Sequence, residues 1–105
     1  MNNHANNNCI ALDELKQLIL NKKQEVKIID VRNSDEYQKQ HIPGAINISV
    51  TNIDIAEKLF DKMDYLITAC GKGGGRSAEA AEKLQLLGFS KAIWLCGGTI
   101  GWNEK

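Results

Sequence analysis

Short runs rich in β-branched residues alternate with segments of helical periodicity along most of the chain. That alternation limits the fold more than any other feature. The runs lie at 26–31, 45–50, 65–69 and 91–95, the first carrying Val26, Ile28, Ile29 and Val31. Short apolar runs of this kind read as strands covered on both faces. Between them, Leu12, Leu15, Leu18 and Ile19 fall at helical spacing, with Asp13 and Glu14 suited to a first turn and an end near Asn21. Asn33 or Ser34 caps a short helix through Gln40, which Pro43 and Gly44 stop. Asn52 or Thr51 opens a further helix that carries Ile55, Leu59 and Phe60 inward. Residues 77–87 form the best helix, with Ala78, Ala81, Leu84 and Leu87 on one face and Gly88 as its cap. Strands separated by helices in this way imply an α/β domain with a parallel or mostly parallel sheet and helices on both faces.

The chain has 105 residues, room for one core. Residues 1–8 are polar and without periodicity and read as a disordered leader, leaving 9–105 as one domain with no repeat or linker. Thirteen basic residues balance thirteen acidic ones, so no overall field draws in nucleic acid or an anionic membrane, and an anion site must be built locally. No apolar run is long enough to cross a bilayer, and the start lacks a secretory signal, so the expected home is cytoplasmic. The three cysteines, Cys9, Cys70 and Cys96, are an odd count without paired spacing, and His4 and His41 are far apart. Neither a metal site nor a cofactor is expected, and in a reducing compartment all three thiols stay free.

Chemistry concentrates where the strand 65–69 meets the helix that follows. Cys70, Gly71, Lys72, Gly73, Gly74, Gly75, Arg76 and Ser77 fill that junction. In α/β sheets, ligands bind beyond the carboxyl ends of strands. Four glycines in so short a loop let successive backbone N–H groups turn toward one centre, and the helix adds its positive end. Lys72 and Arg76 bring formal charge. The chain has only two arginines, Arg32 and Arg76, and the guanidinium fork suits an oxyanion, so placing one here favours recognition. Cys70 at the rim is a candidate nucleophile, because electropositive surroundings favour the thiolate. The loop is not a nucleotide P-loop, since a cysteine occupies the strand end and no Gly-Lys-Ser/Thr follows the last glycine.

Four segments together resemble one family. Ile29-Asp30-Val31-Arg32 with Glu36-Tyr37, then His41-Ile42-Pro43-Gly44-Ala45-Ile46-Asn47-Ile48, are similar to the first signature of rhodanese-like domains. Cys70 with its loop and Arg76-Ser77, then Leu95-Cys96-Gly97-Gly98-Thr99-Ile100-Gly101-Trp102, resemble the active-site and C-terminal signatures. The resemblance implies the rhodanese fold, with a mostly parallel five-stranded sheet, and a catalytic Cys70 that carries sulfane sulfur as a persulfide. Residues 71–77 would then bind the substrate. The implied partners are a small anionic sulfur donor such as thiosulfate, a thiol or cyanide acceptor, and a protein sulfur acceptor. The loop from Cys70 through Arg76 is one residue longer than sulfurtransferases of the family usually carry. In that respect it resembles rhodanese-fold phosphatases and arsenate reductases, which defines one alternative; a non-enzymatic sulfur-relay module is another. Against a phosphatase, the loop has no carboxylate to protonate a leaving alkoxide, help that is typically worth about 10² to 10⁴ in rate. Glu79, the nearest acid, is expected to face solvent.

Other residues have duller expected roles. Cys96 is expected at the same sheet edge as Cys70, either as a small buried residue or as a resolving thiol, and Cys9 is incidental. Arg32 and Glu36 are expected to pair. His41 reads as a turn residue, and Trp94 and Trp102 as packing.

Overall fold

The computed structural model describes residues 9–21, 25–72 and 74–103. The region read as a leader, 1–8, and Gly73 of the loop lie outside the described residues. Five strands form one sheet: β1 (Cys9–Ile10), β2 (Val26–Asp30), β3 (Ile46–Asn47), β4 (Tyr65–Ala69) and β5 (Ile93–Leu95). Their order is β1-β5-β4-β2-β3, and every adjacent pair is parallel. The helices are α1 (Leu12–Asn21), α2 (Ser34–Lys39), α3 (Ala56–Leu59), α4 (Arg76–Leu86) and α5 (Gly98–Asn103), with a 3₁₀ segment, Val50–Ile55, leading into α3.

A parallel sheet needs cover on both faces, and the apolar residues divide accordingly. One cluster gathers Ile29, Val31, Leu66 and Cys70 from the sheet side with Ile53, Ala56, Ala80, Leu84 and Phe89. The other gathers Ile10, Ile28, Ile67, Ala69 and Leu95 with Leu15 of α1, and Tyr37 of α2 and Trp102 of α5 pack against it. Connections running one way across the sheet, β1 to β2 and β2 to β3, place their helices on the second face. Those running back, β3 to β4 and β4 to β5, place theirs on the first, as a single crossover hand requires.

The α2 cap forms as its sequence dictates. Asn33 accepts from the Glu36 amide at 3.0 Å while the Glu36 carboxylate accepts from the Asn33 amide at 3.3 Å, a capping box. Three expectations shift. The segment 45–50 pairs over only two residues, Ile46 and Asn47. The helix after it begins as 3₁₀, whose tighter turn rotates the pattern, so Ile55 and Leu59 are exposed and Val50, Ile53 and Ala56 point inward. On α4 the buried face is Ser77, Ala80, Ala81 and Leu84 rather than one including Ala78. Among the described residues, no helix is long and apolar enough to cross a membrane.

Candidate active site

β4 is the central strand, flanked by β5 and β2, and Cys70 is the first residue past its end. Backbone bonds from both neighbours hold this strand end. The Val31 amide donates to the Ala69 carbonyl at 2.9 Å, the Thr99 amide to the Cys70 carbonyl at 2.8 Å, and the Ile100 amide to the Gly71 carbonyl at 3.0 Å. The residues after β5 therefore clasp the first two residues of the loop. Thr99 itself is buried, and its hydroxyl has no partner among the described residues.

The Cys70 side chain is 5% exposed. Its thiol donates to the Gly74 carbonyl at 3.1 Å, and Sγ lies 3.3 Å from the Ser77 hydroxyl, which donates to the same carbonyl at 2.9 Å. Ser77 is fully buried and also donates its amide to Gly74 at 3.1 Å. The glycine-rich sequence predicts inward-turned amides around the sulfur. In this structure the described loop group that meets Sγ is instead the Gly74 carbonyl, the partner a protonated thiol requires. Gly74 and Gly75 both have positive φ, 77° and 46°, which L side chains rarely adopt. A Cβ at Gly74 would lie 3.9 Å from the Trp94 ring, so the tryptophan flanks the loop.

Lys72 is exposed. Arg76, the first residue of α4, reaches 40 residues back to Glu36, donating to its two carboxylate oxygens at 2.9 and 3.3 Å. Hydrogen bonding from Arg76, the largest influence, holds the Glu36 carboxyl below its usual range, and the same bond raises Arg76 further. The expected Arg32–Glu36 pair does not form. Arg32 turns back to Asp30, which is 1% exposed, with contacts at 2.8 and 3.0 Å, and donates to the Gln40 carbonyl at 2.6 Å. A buried carboxylate two residues away at the strand end outcompetes a half-exposed one on the next helix. Glu79 is exposed and pairs with Lys83, as its position on α4 suggested.

The cysteines depart most from expectation. Cys9 and Cys96 are joined by a disulfide, with Cα atoms 5.2 Å apart across 87 residues, and Cys70 is the free thiol. Cys9 is not incidental: it sits on β1, a two-residue strand with no sequence period of its own, opposite Trp94 of β5. Among the described residues no group of His, Cys, Asp and Glu is assembled to hold a metal ion.

The chain is thus a five-stranded parallel α/β domain with a free, buried cysteine at the end of its central strand, leading through glycines into a helix. The chain belongs to the rhodanese-like domain family, whose pattern it matches over residues 11–105. It is 30% identical over 92 residues to a thiosulfate sulfurtransferase, GlpE, of Coxiella burnetii, covering 88% of this chain and 85% of that protein. It is 31% identical over 96 residues to a putative sulfur carrier protein, YrkF, of Bacillus subtilis; the match covers 91% of this chain but only 51% of the Bacillus protein, about half its length. The human single-domain sulfurtransferase TSTD1 has a similar structure, with a TM-score of 0.80, 27% identity, and coverage of 93% of this chain and 96% of that one. These relatives support a sulfurtransferase or sulfur-carrier role.

Proposed function

We propose that the chain is a sulfurtransferase that moves sulfane sulfur from an anionic donor such as thiosulfate to a thiol or cyanide acceptor through a persulfide on Cys70. The observation that carries this reading is the placement of one free, buried thiol at the end of the central strand, at the start of a glycine loop. The Cys70 thiolate attacks the outer sulfur of thiosulfate; the S–S bond breaks and sulfite leaves with its electron pair. An acceptor thiolate or cyanide then attacks the sulfane sulfur and returns Cys70 as the thiolate. In this proposal Lys72 and Arg76 neutralise the donor's charge, and the backbone of the loop glycines forms the cradle.

A thiolate or a persulfide anion has no proton to give the Gly74 carbonyl. Loading therefore requires the peptide between Gly74 and Gly75 to turn its N–H inward, a rotation that two glycines permit. Sulfur transfer needs no proton donor, because sulfite and thiolates are competent leaving groups. Phosphate or arsenate chemistry would need one, and the carboxylates around the loop are engaged: Glu36 with Arg76, Asp30 with Arg32, Glu79 with Lys83. A cytoplasmic setting and a protein acceptor belong to the same proposal.

The test is the intact mass of the reduced protein after incubation with thiosulfate. One added sulfur, mapped to Cys70 and absent in Cys70→Ser, is expected. Turnover of an aryl phosphate that depends on Cys70, without sulfur uptake, would replace this reading with the oxyanion one. Loading without turnover to cyanide or small thiols would make the chain a relay module.

A further inference from the structure

Cys9 and Cys96 lie on the same side of the sheet as Cys70. Thr68 and Trp94 are register partners on β4 and β5, and Cys70 and Cys96 each follow their strand's partner by two residues. The period of two in a strand keeps a residue and the second one after it on one face, so the free thiol and one half-cystine end adjacent strands at the same level. Cys9 is the register partner of Trp94 on the other side of β5, which puts it on that face too. Residues 99 and 100, just past Cys96, hold the Cys70 and Gly71 carbonyls, so the three sulfurs share one connected edge of the molecule. Both half-cystines are partly exposed, within reach of an external thiol.

We propose that Cys9 and Cys96 form a resolving dithiol that discharges the Cys70 persulfide reductively, giving the protein a hydrosulfide-releasing activity beside transfer. This rests on the reading of Cys70 as the persulfide carrier. In the first step the Cys96 thiolate attacks the outer sulfur of the Cys70 persulfide. A bond forms between Cys96 Sγ and the sulfane sulfur, the old S–S bond breaks, and its electron pair stays on Cys70, which returns as thiolate. In the second step the Cys9 thiolate attacks Cys96 Sγ. The Cys96–sulfane bond breaks, hydrosulfide departs with the pair, and the Cys9–Cys96 disulfide remains. Two thiols are oxidised by two electrons while one sulfane sulfur is reduced to sulfide, with their protons distributed between hydrosulfide and solvent. The structure is the product of this half-cycle: disulfide closed, Cys70 free. A small-molecule or protein dithiol resets it by reducing the disulfide and leaving as its own disulfide.

The experiment uses the full chain, reduced with excess dithiol, freed of it without oxygen, and given one equivalent of thiosulfate. Hydrosulfide is trapped by alkylation and the protein weighed and peptide-mapped. Expected for the wild type is transient sulfur on Cys70, followed by release of hydrosulfide in step with loss of two hydrogens from the chain and formation of the Cys9–Cys96 bond. Cys96→Ser should retain the sulfur on Cys70 and lose hydrosulfide release. Cys9→Ser should shift sulfur to Cys96 and stall there. A wild type that keeps its added sulfur as long as Cys96→Ser overturns the inference while leaving Cys70 as carrier. Absence of added sulfur from every chain overturns the carrier reading and this one with it. The wild-type stoichiometry decides the matter even where a variant folds poorly.

Discussion

Replacing Asp30 with asparagine tests the polar anchor beside the end of the central strand. The Asp30 carboxylate accepts from the Arg32 amide at 3.0 Å, from Nε at 3.0 Å and from Nη2 at 2.8 Å, and both residues are nine-tenths buried or more. Hydrogen bonding to Asp30 is the main reason Arg32 binds its proton more tightly than an ordinary arginine, so the guanidinium cannot escape burial by becoming neutral. Asp30→Asn leaves a buried cation without its counter-charge and sets an amide N–H₂ against Nη2. Removing one partner of a buried pair costs about 3–5 kcal/mol, a large share of the roughly 5–15 kcal/mol that holds such a domain together. At about 4–8 °C per kcal/mol for a domain of similar size, even the lower figure lowers Tm by about 12 °C. Urea unfolding should show a lower midpoint at unchanged slope. Asp30→Leu with Arg32→Met removes both charges and should recover most of the loss. If the single change costs under about 1 kcal/mol, where exposed pairs fall, or if the double variant is no better, the buried-charge reasoning is wrong.

Other substitutions separate packing from recognition. Glu36→Gln should change stability by only about 0.2–1 kcal/mol, since the ion pair is half-exposed. Freed from its carboxylate, Arg76 should bind an anionic donor more tightly, so KM for thiosulfate falls at low salt with kcat little altered, and the gain fades at high salt; an unchanged KM would remove Arg76 from donor binding. The Glu36 carboxyl is depressed in the fold, so its contribution is full above the ordinary glutamate value of about 4.3. It is lost as pH falls through the lower folded value, which acid titration of wild type against Glu36→Gln should show as a difference that closes below that window. Leu84→Ala, at a fully buried position on α4, should cost about 2–5 kcal/mol in urea unfolding. Thr99→Val should stabilise the protein by about 1 kcal/mol, because it removes a buried hydroxyl that has no partner among the described residues; a loss instead would show that the hydroxyl is satisfied in solution.

The strands covered on both faces and the glycine loop were legible from residue type alone, because burial on two sides and freedom at positive φ each demand particular side chains. So was the α2 cap, a local matter between Asn33 and Glu36. What could not be read were relations with no local signature. Nothing near Arg76 points to Glu36, and the expectation that Arg32 pairs across the loop-to-helix junction with Glu36 passed over the strand-end carboxylate of Asp30, the nearer partner. Cys9 and Ile10 carry no period, so β1 exists only because β5 offers an edge to pair with, and the disulfide depended on that strand. The direction of the Gly74 carbonyl was equally beyond composition: glycine permits both orientations of its peptide.

The strand order also governs when the loop after the central strand can close during synthesis. The carbonyls of Cys70 and Gly71 wait for amides 29 positions downstream, and the first strand to leave the ribosome pairs with the fifth. A nascent chain that has exposed Cys70 but not residues 94–100 holds an unclasped loop and an unpaired Cys9. Closure of the loop around Cys70 thus waits until the last strand of the domain has been delivered.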